Sequence, residues 1–305
     1  MSISFEGQVA IVTGAGNGLG RSHALALAER GAKVVVNDLG GSRDGSGASS
    51  DAAMEVVKLI EANGGEAIAH GANVAKFDEV QDMVKQAMDK WGRIDILMNN
   101  AGILRDKSFG KMDLADFKLV MDVHLMGSVN CSKAVWDIMK AQNYGRIMMT
   151  TSSSGLYGNF GQTNYGAAKM AVIGFMNTLV LEGAKNNIKV NALAPTAGTR
   201  MTEDVLPADI CAMLTPEAVT AGALTLVHED APNRFILCAG AGGYSSTRIF
   251  ETDGAFIPAS EQTPENISAQ WDTISDISTQ EEMPNGIKQS EKFLAKAKAY
   301  VDSQK

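Results

Sequence analysis

The chain has 305 residues, 45% hydrophobic and 20% charged, proportions of a globular protein that exclude a disordered or fibrous one. Its net charge of −8 argues against nucleic acid or an anionic membrane surface as the main partner, and no run of about 18 apolar residues offers a membrane insertion. Cys131, Cys211 and Cys238 give neither zinc-ligand spacing nor a disulfide framework, so a reducing compartment is expected.

In chain order, Gln8–Val12 reads as a buried strand that runs into a glycine-rich turn and a helix, Leu19–Arg30. A second strand, Lys33–Asn37, precedes a helix over Ser50–Asn63 and another over Phe77–Trp91. The pattern then gives a strand at Ile94–Asn99, a long helix at Leu114–Lys140, a strand at Gly145–Thr151, a helix at Asn164–Lys185 and a strand at Ile188–Ala192. All seven prolines fall at Pro195 or later, so none interrupts these elements. Strands alternating with crossover helices predict an α/β fold, a doubly wound parallel sheet of the Rossmann-like kind. From about residue 250 the composition turns polar and acidic. A linker over Glu251–Gly286 and an amphipathic helix over Ile287–Val301 are expected, so that 1–250 is the catalytic domain and 251–305 a C-terminal extension.

Three local patterns carry chemistry. Residues 9–20 read VAIVTGAGNGLG. Gly14, Gly18 and Gly20 remove side chains where a backbone must turn tightly beside a pyrophosphate, and the following helix offers free N–H groups at Asn17, Gly18, Leu19 and Gly20. Asp38 ends the second strand, where a carboxylate accepts hydrogen bonds from ribose hydroxyls and repels a 2′-phosphate; NAD is therefore favoured over NADP. A strand-end turn cap is the alternative for Asp38, and Arg43 nearby tempers the preference. Tyr165 and Lys169 lie four residues apart on one helical face, with Ser152 just past a strand. A free tyrosine is a poor base near neutrality; an adjacent ammonium and an oxidised nicotinamide both favour the phenolate that acid/base work requires.

TGAGNGLG, the NNAG of residues 99–102, Ser152 and the YGAAK of residues 165–169 together resemble the short-chain dehydrogenase/reductase family. VVVNDLGG (34–41), NNAGILRD (99–106), VHLMGS (123–128) and YGRIMMTSSSGLYGNFGQTNYGAAK narrow the resemblance to its multifunctional-enzyme branch, which oxidises (3R)-hydroxyacyl-CoA thioesters. PENISAQWDTISD in the tail extends it over nearly the whole chain. The resemblance implies Tyr165 as acid/base, Lys169 on the nicotinamide ribose and Ser152 on the substrate oxygen. It further implies Asp38 at the adenine ribose, Asn73 and Val74 beside the adenine, Asn100 in the cleft, and Ala197 to Thr199 at the carboxamide. The family's helical asparagine is replaced by His124, which is either a substitute or a buried helix histidine.

An acyl-CoA substrate needs cations for its phosphates, and Arg105, Lys107 and Arg200 are candidates. A homodimer through the Leu114–Lys140 and Asn164 helices is implied, with the tail over the substrate cleft or the partner subunit. A hydroxysteroid dehydrogenase is the alternative substrate reading. A 3-oxoacyl reductase is disfavoured by Asp38, and a non-catalytic nucleotide sensor by the intact Ser152, Tyr165 and Lys169 set. The first residues lack a basic segment followed by an apolar run, and the final DSQK is not an SKL-type address, so a cytoplasmic protein is expected.

Overall fold

The computed structural model describes residues 2–47, 49, 51–198 and 208–305, and they divide into two compact units, Met1–Ser246 and Thr247–Lys305. In the first unit the chain forms β1 (Val9–Thr13), α1 (Gly18–Glu29), β2 (Lys33–Asn37), α2 (Asp51–Ala62), β3 (Glu66–His70), α3 (Phe77–Trp91) and β4 (Ile96–Asn99). It continues through α4 (Leu114–Met121), a π-helical turn (Asp122–Met126), α5 (Gly127–Gln142), β5 (Gly145–Thr150), α6 (Ser153–Tyr157), α7 (Thr163–Gly183) and β6 (Ile188–Thr196). It closes with α8 (Ala208–Met213), α9 (Pro216–Thr225), β7 (Ile236–Gly240) and β8 (Gly243–Thr247).

The strand order is β3-β2-β1-β4-β5-β6-β7-β8, and every pairing from β3 to β7 is parallel. β7 and β8 are joined by Ala241 and Gly242, both at positive φ (49° and 77°), the two-residue turn that suits a tight hairpin. Because successive strand residues point to opposite faces, Ile11, Val35, Leu97 and Ile147 pack with α3, α5 and α7. Ala10, Val12, Val34, Val36, Ile96 and Met98 pack with α1, α2 and α9 on the other face. Both faces being covered explains why β1 and β2 read as uninterrupted apolar runs. α3 shows the helical counterpart: Val80, Met83, Val84 and Ala87 form its buried stripe, and Gly92 ends it in the left-handed region with its N–H on the Met88 carbonyl.

The doubly wound sheet agrees with the sequence reading, with three additions and one correction. β3 is absent from the pattern because its sequence, EAIAH, buries only Ala67. β8 leaves four of its five residues exposed, and β7 is a short run ending in glycine, so neither stands out. The single helix expected over Leu114–Lys140 is instead broken into α4 and α5 by the π-helical turn. In the second unit the expected terminal helix is present as α12 (Gly286–Ser303), capped by the Asn285 side chain on the Ile287 and Lys288 N–H groups. The segment expected as linker contains α10 (Pro264–Ala269) and α11 (Trp271–Ile274). It is tied down by a Glu251–Glu281 bridge, a Lys292–Glu251 ion pair and a Lys296–Asp253 contact of 2.8 Å.

Candidate active site

The chain passes from β1 outward to β2 and β3, then returns to place β4 on the opposite side of β1. Such a switch of direction leaves a crevice outside the carboxyl ends of the strands, and the main cleft lies there. Its walls include Gly14, Asn17, Gly18 and Leu19 from the β1–α1 turn, Asp38 after β2, Asn73 and Val74 after β3, and Asn100 after β4. Tyr165 and Lys169 from α7 complete it.

The β1–α1 turn fits a dinucleotide phosphate. Gly14 sits at φ +62° with a would-be Cβ 2.8 Å from the Ala101 Cα. A Cβ on Gly20 would fall 2.1 Å from the Gly14 carbonyl oxygen, so this helix start can press against the turn only as glycine. Asn17 caps α1 without a side-chain hydrogen bond, and no acidic residue lies in the first turn. The N–H groups and dipole of a 12-residue helix thus face the cleft uncapped, an anion site of the kind phosphates take. Gly20 itself stands behind the wall. Asn100 holds the turn from the other side: its Nδ2 donates to the Thr13 and Gly14 carbonyls at 3.0 and 3.1 Å. Thr13 Oγ1 returns the favour by accepting the N–H groups of Asn100 and Ala101, both at 3.0 Å.

Asp38 accepts the Gly16 N–H on Oδ2 and the Gly40 N–H on Oδ1, each at 2.7 Å. Two N–H bonds hold the carboxylate in place and leave lone pairs on both oxygens for ribose hydroxyls. A feature the sequence reading missed is the loop after β2, which brings Gly41, Ser42, Arg43 and Gly45 into the cleft wall. Its GGSRDGSG composition signals a loop, but not the direction the loop takes.

At the other end, Thr151 Oγ1 donates to the Lys169 carbonyl at 2.6 Å and seats the C-terminal end of β5 against α7. Ser152 caps α6 through the Ser154 N–H and hydrogen-bonds the Tyr165 phenol. Lys169 Nζ lies 5.6 Å from the Tyr165 ring centre and donates to the Thr150 carbonyl at 2.6 Å. Burial dominates both ionisable groups. It pulls Lys169 from 10.5 down to about 7 and pushes the Tyr165 phenol up, the Ser152 hydrogen bond working in the opposite direction. Asp106 adds to the rise, and the expected lowering of Tyr165 by the Lys169 ammonium is not found in the free protein.

His124, in the π-helical turn, stands edge-on to Tyr165 at 5.1 Å and 90°. Its Nε2 lies 2.8 Å from the Ile103 carbonyl oxygen and 3.1 Å from the Ile103 nitrogen, while the buried Nδ1 has no partner among the described residues. Burial, reinforced by the Lys169 charge, holds the imidazole well below its ordinary 6.5, hence neutral. Gly102 makes room for it, since a Cβ there would meet Cε1 at 2.4 Å.

Ala197 and Arg105 are not in the cleft wall, and two predicted residues lie outside the described ones. Ala197 is buried among apolar residues of one sheet face instead of lining the cleft. Arg105 is engaged by Asp116 (Nη1, 2.9 Å) and by the Asp44 carbonyl (Nε, 2.7 Å). Thr199 and Arg200 fall outside the described residues. Lys107 is exposed. Among the described residues there is no His, Cys, Asp and Glu cluster fit for a metal ion.

Residues 8–209 match the family model described as short chain dehydrogenase. Peroxisomal multifunctional enzyme type 2 of Mus musculus is 47% identical over 305 residues, 99% of this chain and 41% of that one. Peroxisomal multifunctional enzyme A of Dictyostelium discoideum is 47% identical over 90% of this chain, which spans 61% of its length. A short-chain type dehydrogenase/reductase of Mycobacterium tuberculosis is 48% identical, covering 90% of this chain and 96% of its own. Among solved structures, full-length peroxisomal multifunctional enzyme type 2 from Drosophila melanogaster has a TM-score of 0.81 and 38% identity, over 97% of this chain and 50% of that one. A 7α-hydroxysteroid dehydrogenase complexed with NADH and 7-oxo glycochenodeoxycholic acid has a TM-score of 0.71 and 30% identity, over 79% and 95%.

Proposed function

The chain belongs to the short-chain dehydrogenase/reductase family of oxidoreductases, and we propose that it oxidises (3R)-3-hydroxyacyl-CoA to 3-oxoacyl-CoA with NAD, in β-oxidation of fatty acyl or sterol side-chain thioesters. What carries the reading is the pairing of a Ser152–Tyr165–Lys169 cluster with Asp38 at the far end of one cleft. Identity to multifunctional enzyme type 2 across 99% of the chain supports the thioester class, and the NADH-bound neighbour supports the cofactor.

Bound NAD supplies the hydride acceptor. The N–H groups at the start of α1 hold its pyrophosphate, Asp38 takes the adenine ribose hydroxyls, and Asn73 and Val74 flank the adenine. Lys169, one turn beyond Tyr165, binds the nicotinamide ribose. Tyr165 removes the proton from the substrate hydroxyl, and Ser152 donates a hydrogen bond to that oxygen as it becomes a carbonyl. With NAD bound, its positive charge and a protonated Lys169 would favour the phenolate and counter the burial that raises the Tyr165 phenol in the free protein. The residue opposite the substrate oxygen is thus a base that becomes competent as the cofactor binds.

The protein works as a homodimer in this reading. α7 is apolar around its circumference yet leaves Met170 and Leu181 exposed, and a second copy covers them. The second unit exposes Trp271, Ile277, Ile287 and Leu294, an apolar set suited to packing on a partner subunit. NADH formation is measured with (3R)- and (3S)-hydroxyacyl-CoA, with NADP in place of NAD, and with a panel of steroid alcohols. Turnover restricted to the 3R thioester and NAD is expected. Steroid turnover with silent thioesters overturns the substrate and keeps the cofactor and catalytic residues.

A further inference from the structure

Arg105 is not in the cleft wall, but its guanidinium joins the loop after β2, which is, to Asp116 on α4. The loop after β2 folds its tip into a self-braced turn. Ser42 N donates to the Ser46 carbonyl at 2.7 Å, Gly45 N to the Ser42 carbonyl at 2.9 Å, and the Asp44 carboxylate accepts Ser42 Oγ at 2.5 Å and the Ser46 N–H at 3.0 Å. This turn reaches the segment after β4, on the other side of the switch point. Leu104 N donates to the Arg43 carbonyl at 3.1 Å, and Arg105 Nε to the Asp44 carbonyl at 2.7 Å. Gly45 is close enough that a Cβ there would meet Ile103 at 3.2 Å. Arg105 is anchored in turn: Nη1 pairs with Asp116 at 2.9 Å, and its carbonyl accepts Asn164 Nδ2 at 2.9 Å. Asn164 is fully buried, and its Oδ1 accepts the N–H of Tyr165 at 2.8 Å.

We propose that Arg105 is a positioning residue that latches the Ser42–Ser46 turn across the mouth of the cleft and thereby sets how fast the dinucleotide leaves. The proposal rests on reading the cleft as a dinucleotide site. The turn lines the same cleft as Asp38 and the α1 start, so a dinucleotide held there would touch it. Moving the turn away breaks the Leu104 N–H bond to Arg43 and the Arg105 Nε–H bond to Asp44, the second from a charged donor and therefore the stronger. A cation serving only as a counter-charge tolerates lysine. A latch made by Nε–H does not, because lysine keeps the charge facing Asp116 and loses that donor.

NADH release is measured by stopped-flow fluorescence on the full-length protein, bound NADH being displaced by excess NAD, for wild type, Arg105→Ala, Arg105→Lys and Asp116→Asn. Both arginine variants are expected to release NADH about ten-fold faster, the loss of one charge-assisted hydrogen bond. Asp116→Asn, which loosens the anchor and keeps the latch bond, falls between them and wild type. In steady state the KM for NAD rises while kcat is unchanged or higher. Should Arg105→Ala fail to fold, Arg105→Lys carries the test alone. Release within two-fold of wild type in the lysine variant overturns the latch, as does a rise in acyl-CoA KM with NADH release unaltered. A wild type that binds no NADH overturns the dinucleotide reading instead, and the latch with it.

Discussion

Replacing Lys169 by methionine is expected to abolish turnover and yet to make the protein more stable near pH 6, with an advantage that disappears as the pH rises. Lys169 is 4% exposed, and burial lowers its pKa from 10.5 to about 7. Below pH 7 the lysine is protonated in both folded and unfolded chains, and the folded state carries the whole cost of desolvating the ammonium. Between about pH 7 and 10.5 the unfolded chain keeps a proton that the folded one has released. The unfolded state then binds more protons, so the stability of the wild type increases with pH, by about 1.36 kcal/mol per unit. The drop from 10.5 to about 7 corresponds to about 5 kcal/mol of cost at pH 6. Methionine removes that cost but leaves the Thr150 carbonyl without the 2.6 Å bond from Nζ, a loss of about 1–3 kcal/mol. The variant is therefore expected to be about 2–4 kcal/mol more stable at pH 6 and about 0–2 kcal/mol less stable at pH 10. Urea unfolding of both proteins between pH 6 and 10, with the slopes compared as well as the midpoints, gives the difference directly, and other titrating groups cancel from it. A difference that does not vary with pH, or a variant less stable at pH 6, refutes the reasoning.

Tyr165→Phe removes the proton acceptor and is expected to lower kcat by about 10²–10⁴-fold with NADH binding by fluorescence titration unchanged; turnover within ten-fold of wild type would take the acid/base role away from Tyr165. Asp38→Ser removes the carboxylate that accepts the Gly16 and Gly40 N–H groups, so NADH affinity should fall by about ten-fold or more and its margin over NADPH should narrow. Equal losses for the two dinucleotides in equilibrium titrations would deny Asp38 its selective role. His23 is fully buried and held from 6.5 down to about 3 by desolvation, with Nδ1 on Thr220 Oγ1. The unfolded chain takes up its proton first, so the wild type loses up to about 5 kcal/mol between pH 6.5 and 3. His23→Leu escapes that loss, Thr220 still donating to Ser22 at 2.7 Å, and its acid-unfolding midpoint moves to lower pH. An unmoved midpoint in circular dichroism counts against the desolvation account.

The features legible in the sequence are those written within one strand, one turn or one helical repeat. The apolar run of β1, the glycines after it, Asp38 at the end of β2 and the four-residue spacing of Tyr165 and Lys169 are all local, and each stands where its spacing put it. Edge strands escaped because their pattern depends on the partner. β3 and β8 bury little, and only the sheet order gives them a place. The π-helical turn that carries His124 has no periodic signature in a helix that otherwise continues.

Other properties belong to the tertiary structure alone. Asn100 braces a turn 87 residues away, and His23 meets a threonine 197 residues away. In sequence Arg105 is a candidate cation for the CoA phosphates, and only the fold sets Asp44 and Asp116 against it. Lys169 is an ordinary lysine in sequence, and only its enclosure brings its pKa near neutrality. Backbone preference and hydrophobic period act between neighbours and are written in their order. Desolvation and hydrogen-bond closure depend on which distant segments exclude water together, and that is decided when the sheet assembles.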